Sequence, residues 1–145
     1  MQTAKLDQLE LIKIWSESDP KRAARFTFPI FNLTGAASSS AVYFEVDPGK
    51  HLGMHQDSAE EIVMILAGTA EAVVGKERGR LTAGSIALVP SMVPHDIVNV
   101  GDETVRVLGF FSSSTTVTVF EDALAPIGKR VVGTPVPPEP VPVGA

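Results

Sequence analysis

A chain of 145 residues is long enough for one domain with a single core and too short for two ordinary ones. Hydrophobic residues make up 44% and charged residues 20%, a globular balance, and 17 acidic against 12 basic residues without a dense Lys/Arg cluster exclude the basic face that a nucleic-acid partner requires. The chain has no cysteine, which excludes disulfides, zinc fingers and iron–sulfur clusters and leaves nitrogen and oxygen as the ligands for any metal.

At the N-terminus, charged residues interrupt the short apolar runs of residues 1–15, so the continuous apolar core of a secretory signal is missing. No stretch approaches the roughly 18 apolar residues of a membrane span, and the expectation is a soluble, cytoplasmic protein without a membrane partner. Leu9, Leu11, Lys13 and Trp15 alternate as a strand would, with a short helix before Ile14 as the other reading. Asp19-Pro20 suits the start of a helical turn over residues 21–25, because proline is well placed at a first helical position. Residues 25–33 read as extended and aromatic, and residues 34–40, all small or polar, as a loop.

From Ala41 onward the pattern is strand and turn. Val42, Phe44 and Val46 share one face of a strand that Asp47-Pro48-Gly49 ends. Further strands are expected over residues 61–67, 69–75, 85–89, 95–100, 104–111 and 115–120, separated by Gly, Pro, Asp or Ser. Many short strands without intervening helices make the fold class all-β, an antiparallel sandwich, jelly roll or barrel. Five of the eleven prolines fall between Gly133 and Ala145, a segment expected to be an extended, polyproline-like tail because it lacks ladder donors.

The chemistry-bearing residues gather between Pro48 and Asn99. Only three His occur in the chain, and two of them, His55 and His95, lie here at fixed distances from Glu61 and from turn glycines. Gly49 is followed by five residues and His55; Asp57 stands two beyond it; Glu61 is followed by six residues and Gly68. Further on come Gly84, Pro90, Pro94, His95 and, four residues later, Asn99.

These two spacings resemble the two motifs of the cupins, the first of which reads Gly, five residues, His-x-His, three or four residues, Glu, six residues, Gly. The resemblance covers about 50 residues directly, extends with the strand pattern over residues 41–120, and points to a small single-domain cupin. It implies an antiparallel double-stranded β-helix, with an N-terminal extension (1–40) packing on the barrel, a barrel (41–120) and a C-terminal extension (121–145), Pro-rich from 133. It also implies a homodimer, since cupins are commonly dimers. One position departs from the family pattern: the second His of His-x-His is Asp57.

Residues two apart in a strand share a face, so His55 and Asp57 both look into such a barrel. The residues then offer two imidazole nitrogens from His55 and His95, an oxygen from Glu61, and from Asp57 either a second oxygen ligand or an acceptor that orients an imidazole. A carboxylate is shorter than an imidazole, which leaves open whether Asp57 reaches an ion placed for histidine. Two His and one carboxylate leave positions open on a divalent ion, as in non-heme iron sites, and the set suits iron, manganese, nickel or zinc without selecting one. In a catalytic role Glu61 or Asp57 is the group to move a proton. The structural readings beside this are a solvated turn around Glu61, a loop His95, and a cupin whose metal site has decayed.

Of the remaining residues, His51 is read as exposed or as a polar group at the cavity mouth, and Asn99 as fixing backbone at a strand end. Trp15, Met54, Met64 and Met92 are read as core or rim packing. Val63, Ile65 and Ile97 share the inward parity of Glu61 and His95, and no Lys or Arg does, so a small apolar or carbonyl-containing ligand fits better than a sugar phosphate. A metal-dependent dioxygenase or isomerase, a binding or sensor module, and a structural use of the fold all remain open, because fold alone does not decide among them.

Overall fold

The computed structural model describes residues 1–134, so the Pro-rich tail expected beyond Gly133 lies almost wholly outside the described residues. Twelve strands follow in order: β1 (Ile12–Trp15), β2 (Ala23–Ile30), β3 (Ser40–Val46), β4 (His55–Asp57), β5 (Glu61–Ala67), β6 (Thr69–Val74), β7 (Glu77–Thr82), β8 (Ile86–Val89), β9 (His95–Asn99), β10 (Val105–Phe111), β11 (Val117–Leu124) and β12 (Lys129–Gly133). They form two antiparallel six-stranded sheets, β1-β2-β3-β10-β5-β8 and β12-β11-β4-β9-β6-β7. This is the all-β barrel expected from the strand and turn pattern.

The core lies between the sheets and follows strand parity. Glu61, Val63 and Ile65 of β5 are buried while Ile62 of the same strand is 46% exposed, which is the alternation a half-buried strand requires. Val105, Val107 and Phe111 of β10 and Ile97 of β9 complete the centre. Gly68 turns the chain between β5 and β6 at φ +85°, where a Cβ would stand 2.9 Å from the Val105 Cα, so both the backbone angle and the space demand glycine.

Three local expectations are corrected. Residues 21–25 form no helical turn: β2 begins at Ala23 and pairs Ala23 with Trp15 and Phe26 with Ile12, so sheet pairing overrides the local proline signal. In β1 the buried residue is Ile14, at 3% exposure, rather than the Leu9–Leu11–Lys13 set. Two strands were not expected at all. β7 is charged and solvent-exposed, held by pairing to β6 across the Gly75-Lys76 turn, and β12 pairs with β11 beyond residue 120.

Arg25 links β2 to the end of β3, donating to Asp47 Oδ2 at 2.7 Å and Glu45 Oε1 at 3.1 Å. The Arg25 hydrogen bond, together with Thr104, overcomes partial burial and holds the Asp47 carboxyl at about 2. A carboxyl depressed in the folded state contributes stability above its unfolded value near 3.9, and that contribution disappears as pH falls through about 2. Both side chains are well solvated, at 32% and 46% exposure, so the contribution stays below ~1 kcal/mol. Urea midpoints of the wild type and an Arg25→Met variant should therefore differ at pH 6 and converge toward pH 2; a difference that persists at pH 2 would show that the pair does not act through charge.

Candidate metal centre

β4 and β9 run side by side with His55 directly opposite His95, and β11 lies on the other side of β4 with Thr118 opposite Asp57 and Phe120 opposite His55. This register brings four buried polar residues to one point: His55, Asp57, Glu61 and His95 are each 6% exposed or less. Donor atoms of His55, Asp57 and His95 all lie within 4.8 Å of one another.

Both imidazoles are oriented from behind. His55 Nδ1 donates to the Gly53 carbonyl at 2.7 Å and His95 Nδ1 to the Val93 carbonyl at 2.9 Å. A carbonyl only accepts, so each ring carries a proton on Nδ1 and turns Nε2 inward, where the neutral ring presents a lone pair. The ring centroids are 4.0 Å apart, and Phe120 packs on His55 at 5.1 Å. Asp57 is fixed on one oxygen by the Thr118 hydroxyl. Its other oxygen, Oδ2, lies 2.9 Å from His95 Nε2 and 3.8 Å from His55 Nε2. The shorter aspartate thus reaches the same point as the imidazoles. Glu61 Oε1 stands beside the set, 3.7 Å from His95 Nε2.

Asp57 Oδ2 and His95 Nε2 are buried and, although close, are off the line of a hydrogen bond, so neither is satisfied. Orphaned buried polar atoms cost free energy unless something fills the gap. Donors bound to one first-row ion at about 2.0–2.2 Å fall about 3–4.4 Å apart. The 2.9 and 3.8 Å separations of Asp57 Oδ2 from the two Nε2 atoms match that span, and two nitrogens with an oxygen are a donor set that suits a divalent ion.

The electrostatics separate the four groups. Burial and the neighbouring His95 push His55 down to about 4, which keeps it a neutral ligand. Burial also opposes charge on His95, but Asp57 and Glu61 outweigh it and raise this imidazole to about 10. Burial works against the Asp57 carboxylate too, yet His95, His55 and Thr118 hold it below the ordinary range. Burial pushes the Glu61 carboxyl up. Two carboxyl groups a few ångströms apart are thus driven in opposite directions.

The surrounding cavity is walled mainly by apolar side chains, chief among them Phe26, Phe28, Phe44, Phe111 and Phe120, and among the described residues no Lys or Arg lines it. Of the other residues singled out in the sequence, Val63, Ile65 and Ile97 are buried with the site. Asn99 bonds the Val46 and Glu103 carbonyls at 2.9 and 2.8 Å, fixing backbone as expected. His51 is half-buried and pairs with Asp96, and Met92 is 50% exposed, on a loop. Thr118 and Phe120 went unnoticed in the sequence because β4 and β11 are about 60 residues apart, and only their register reveals the pairing.

Gly109 of β10 faces Glu61: a Cβ there would come within 2.3 Å of Glu61 Oε2 and 2.9 Å of Val42 Cγ1. Gly109→Ala should therefore displace the Glu61 carboxylate, the flexible partner, at an overpacking cost of about 1–3 kcal/mol. Because Glu61 stands outside the three-donor set, cobalt affinity should stay within about threefold of wild type; a loss like that of a true ligand variant would place Glu61 among the ligands.

Residues 42–111 match the model of the cupin domain. Among solved structures, the chain is similar to an oxalate decarboxylase from Lactobacillus farciminis, with 23% identity, a TM-score of 0.64, and coverage of 68% of this chain but 31% of that one. It is similar to the polyketide cyclase RemF from Streptomyces resistomycificus, with 18% identity, a TM-score of 0.63 and coverage of 77% and 78%. It is also similar to a putative sugar phosphate isomerase from Acidithiobacillus ferrooxidans, with 18% identity, a TM-score of 0.62 and coverage of 79% and 76%. The chain thus spans about a third of the decarboxylase's length and most of the length of the other two. No curated protein matches its sequence. Two paired six-stranded sheets, the two motif spacings and the match over residues 42–111 agree that this chain contains a cupin domain.

Proposed function

We propose that this cupin is a divalent-metal-dependent enzyme of the dioxygenase or isomerase type, acting on a small, largely apolar molecule that carries a carbonyl or enol group. The observation that carries this reading is the convergence of two Nδ1-anchored imidazoles and the Asp57 carboxylate inside a largely apolar cavity. Holding such groups in an apolar barrel costs several kcal/mol unless an ion satisfies them. His55, Asp57 and His95 are the ligands in this reading, a two-histidine, one-carboxylate set that suits iron, manganese, nickel or zinc and leaves positions open for substrate. A solved Bacillus subtilis oxalate decarboxylase of the same fold is described with Mn(II) centres.

When bound, the ion supplies Lewis acidity toward a chelated oxygen. The chain supplies the rest. Glu61 Oε1, beside the ligand set, takes a proton from the carbon next to the carbonyl and returns it. Phe28, Phe44 and Phe111 exclude water and bind the apolar body of the substrate. Among the described residues no Lys or Arg lines the cavity wall, which disfavours dianions and phosphates, as these would need a cation besides the metal.

The test is turnover by iron-, manganese-, nickel- and zinc-loaded protein against a panel of neutral 1,2- and 1,3-dicarbonyls and phenols. Oxygen uptake reads dioxygenation, and deuterium exchange next to the carbonyl reads isomerisation. One class should turn over and lose at least 100-fold in Glu61→Gln. Tight binding without turnover across every metal would replace the enzyme with a binding or sensor module.

The partner protein in this reading is a second copy of the chain. Rows of apolar side chains cross the outer face of the first sheet in register, Phe110 beside Ile62 beside Leu88, and Leu108 beside Met64 beside Ile86. Ile86 and Leu88 are 68% and 55% exposed on β8, which among the described residues is an edge strand, and its outer backbone side can pair antiparallel with its own symmetry mate. Light scattering should give twice the chain mass for wild type and the single mass for Ile86→Lys; a monomeric wild type removes the dimer.

Among the described residues no helix is long and apolar enough to cross a membrane.

A further inference from the structure

We infer that Asp96, supported by His51, is a positioning residue for the candidate ligand His55 and acts through the backbone of Gly53. The inference rests on the metal reading above for its purpose, though not for its geometry.

Asp96 has the opposite strand parity from His95 and Ile97, so on β9 alone it would face away from the cavity. It is nonetheless only 6% exposed, because the loop from Lys50 to Met54 lies over it. A carboxylate this buried needs partners on both oxygens. It has them: Oδ1 accepts the Gly53 N–H at 2.8 Å, and Oδ2 lies 2.7 Å from His51 Nδ1. The carbonyl of that same Gly53 accepts the His55 Nδ1–H at 2.7 Å. A continuous path therefore runs from His51 through Asp96 and Gly53 to the ring whose Nε2 faces Asp57 and His95.

Gly53 explains why the path is needed. Its φ is +100°, and a Cβ there would lie 2.7 Å from the Arg22 side chain, so glycine is required. Glycine is also the residue least able to hold its own backbone angles. Left to itself it would let the carbonyl that aims His55 swing. Asp96 pins the N–H on one side of the Gly53 Cα, and Arg22 covers the residue while bonding Asp122 Oδ2 at 2.7 Å. The loop is stitched further by Leu52 N–H to the Ile97 carbonyl at 3.0 Å and His51 N–H to the Lys21 carbonyl at 2.9 Å. Metal-binding histidines commonly lean on a carboxylate directly, and loss of such a partner weakens metal binding about 10–100-fold. Here the carboxylate acts one residue removed.

The test uses Asp96→Ala and Asp96→Asn, with Val107→Ala as a control that opens a cavity in the core away from the loop. Asp96→Ala should bind cobalt(II) about 10–100-fold more weakly, with a changed visible spectrum. Asp96→Asn, which can still accept the Gly53 N–H, should recover most of the affinity, and Val107→Ala should lower the melting temperature without changing either readout. In metal-free protein, long-range proton–nitrogen correlation spectra should show His55 in the Nδ1–H form in wild type and a tautomer mixture in Asp96→Ala. If Asp96→Ala does not fold, His51→Ala carries the same two readouts with a smaller expected loss, about 3–10-fold. An unchanged His55 tautomer together with unchanged cobalt affinity overturns the positioning role and leaves the metal reading standing. A wild type that takes up no cobalt removes the metal reading instead, and the metal-free tautomer spectrum then decides the positioning role alone.

Discussion

Metal content near one ion per chain is expected for protein prepared without chelator or an affinity His-tag, and it should fall below about a tenth in His55→Ala, His95→Ala and Asp57→Ala. The three donors share one point, with separations of 2.9 and 3.8 Å from Asp57 Oδ2 to the two Nε2 atoms, so removing any one leaves a two-ligand site. Two ligands from a protein hold a first-row ion far more weakly than three, and the loss in affinity should exceed 100-fold. Asp57 is the discriminating position. If it were only an orienting acceptor, Asp57→Ala would lose about 10–100-fold and retain metal at high loading. Glu61→Gln should retain the ion. Elemental analysis by plasma mass spectrometry reads all of these, and a metal-free wild type that also refuses iron, manganese, nickel and zinc on reconstitution would sink the site.

The same substitutions should separate a ligand set from a plain ion pair in the metal-free protein. Removing His95 leaves Asp57 Oδ2 with only the neutral His55 ring at 3.8 Å, while the Thr118 hydroxyl still holds the other oxygen, and an uncompensated buried charge costs about 3–5 kcal/mol. His95→Ala should therefore destabilise metal-free protein more than His55→Ala, whose ring is neutral and lies farther from the carboxylate.

How much of this was written in the chain depends on the range of the interaction. Turn glycines and strand parity are local, so His55, Glu61 and His95 with their inward neighbours Val63, Ile65 and Ile97 were placed by counting residues, and the core agrees. The position of Asp57 was legible only as a direction. Its reach depends on how far β4 is drawn toward β9, which the His55–His95 pairing sets and residue spacing does not. Thr118, Phe120, Asp96 and His51 act across pairings of distant segments, so no window of sequence contains both partners. β7 escaped because an edge strand with charged residues shows no alternation, and its strand character comes from the register with β6. The helical turn expected after Pro20 failed for the converse reason, a local signal overridden by pairing of β2 with both β1 and β3.

Asn99→Ala is expected to be among the most destabilising single substitutions outside the metal centre. The side chain is 5% exposed and satisfies three backbone groups at once: Nδ2 donates to the Val46 and Glu103 carbonyls, and Oδ1 accepts the Gly101 N–H at 2.9 Å. It thereby ties the end of β3 to the turn between β9 and β10. Alanine would remove all three hydrogen bonds, and each buried polar group that loses its partner costs about 1–3 kcal/mol. Relaxation and water recover part of that, so about 2–4 kcal/mol is the expected loss, or a melting temperature lower by ~5–15 °C for a domain of this size. Asn99→Asp separates hydrogen bonding from packing, because it keeps the shape but turns a carboxylate oxygen toward two carbonyls. It should be worse than alanine at pH 7. If both variants melt within about 2 °C of wild type, the amide is not what holds the β9–β10 turn. The loss should also reach the site, since β9 carries His95 at its other end: weaker cobalt binding is expected in Asn99→Ala only at temperatures where the variant begins to unfold, whereas ligand variants bind weakly at every temperature.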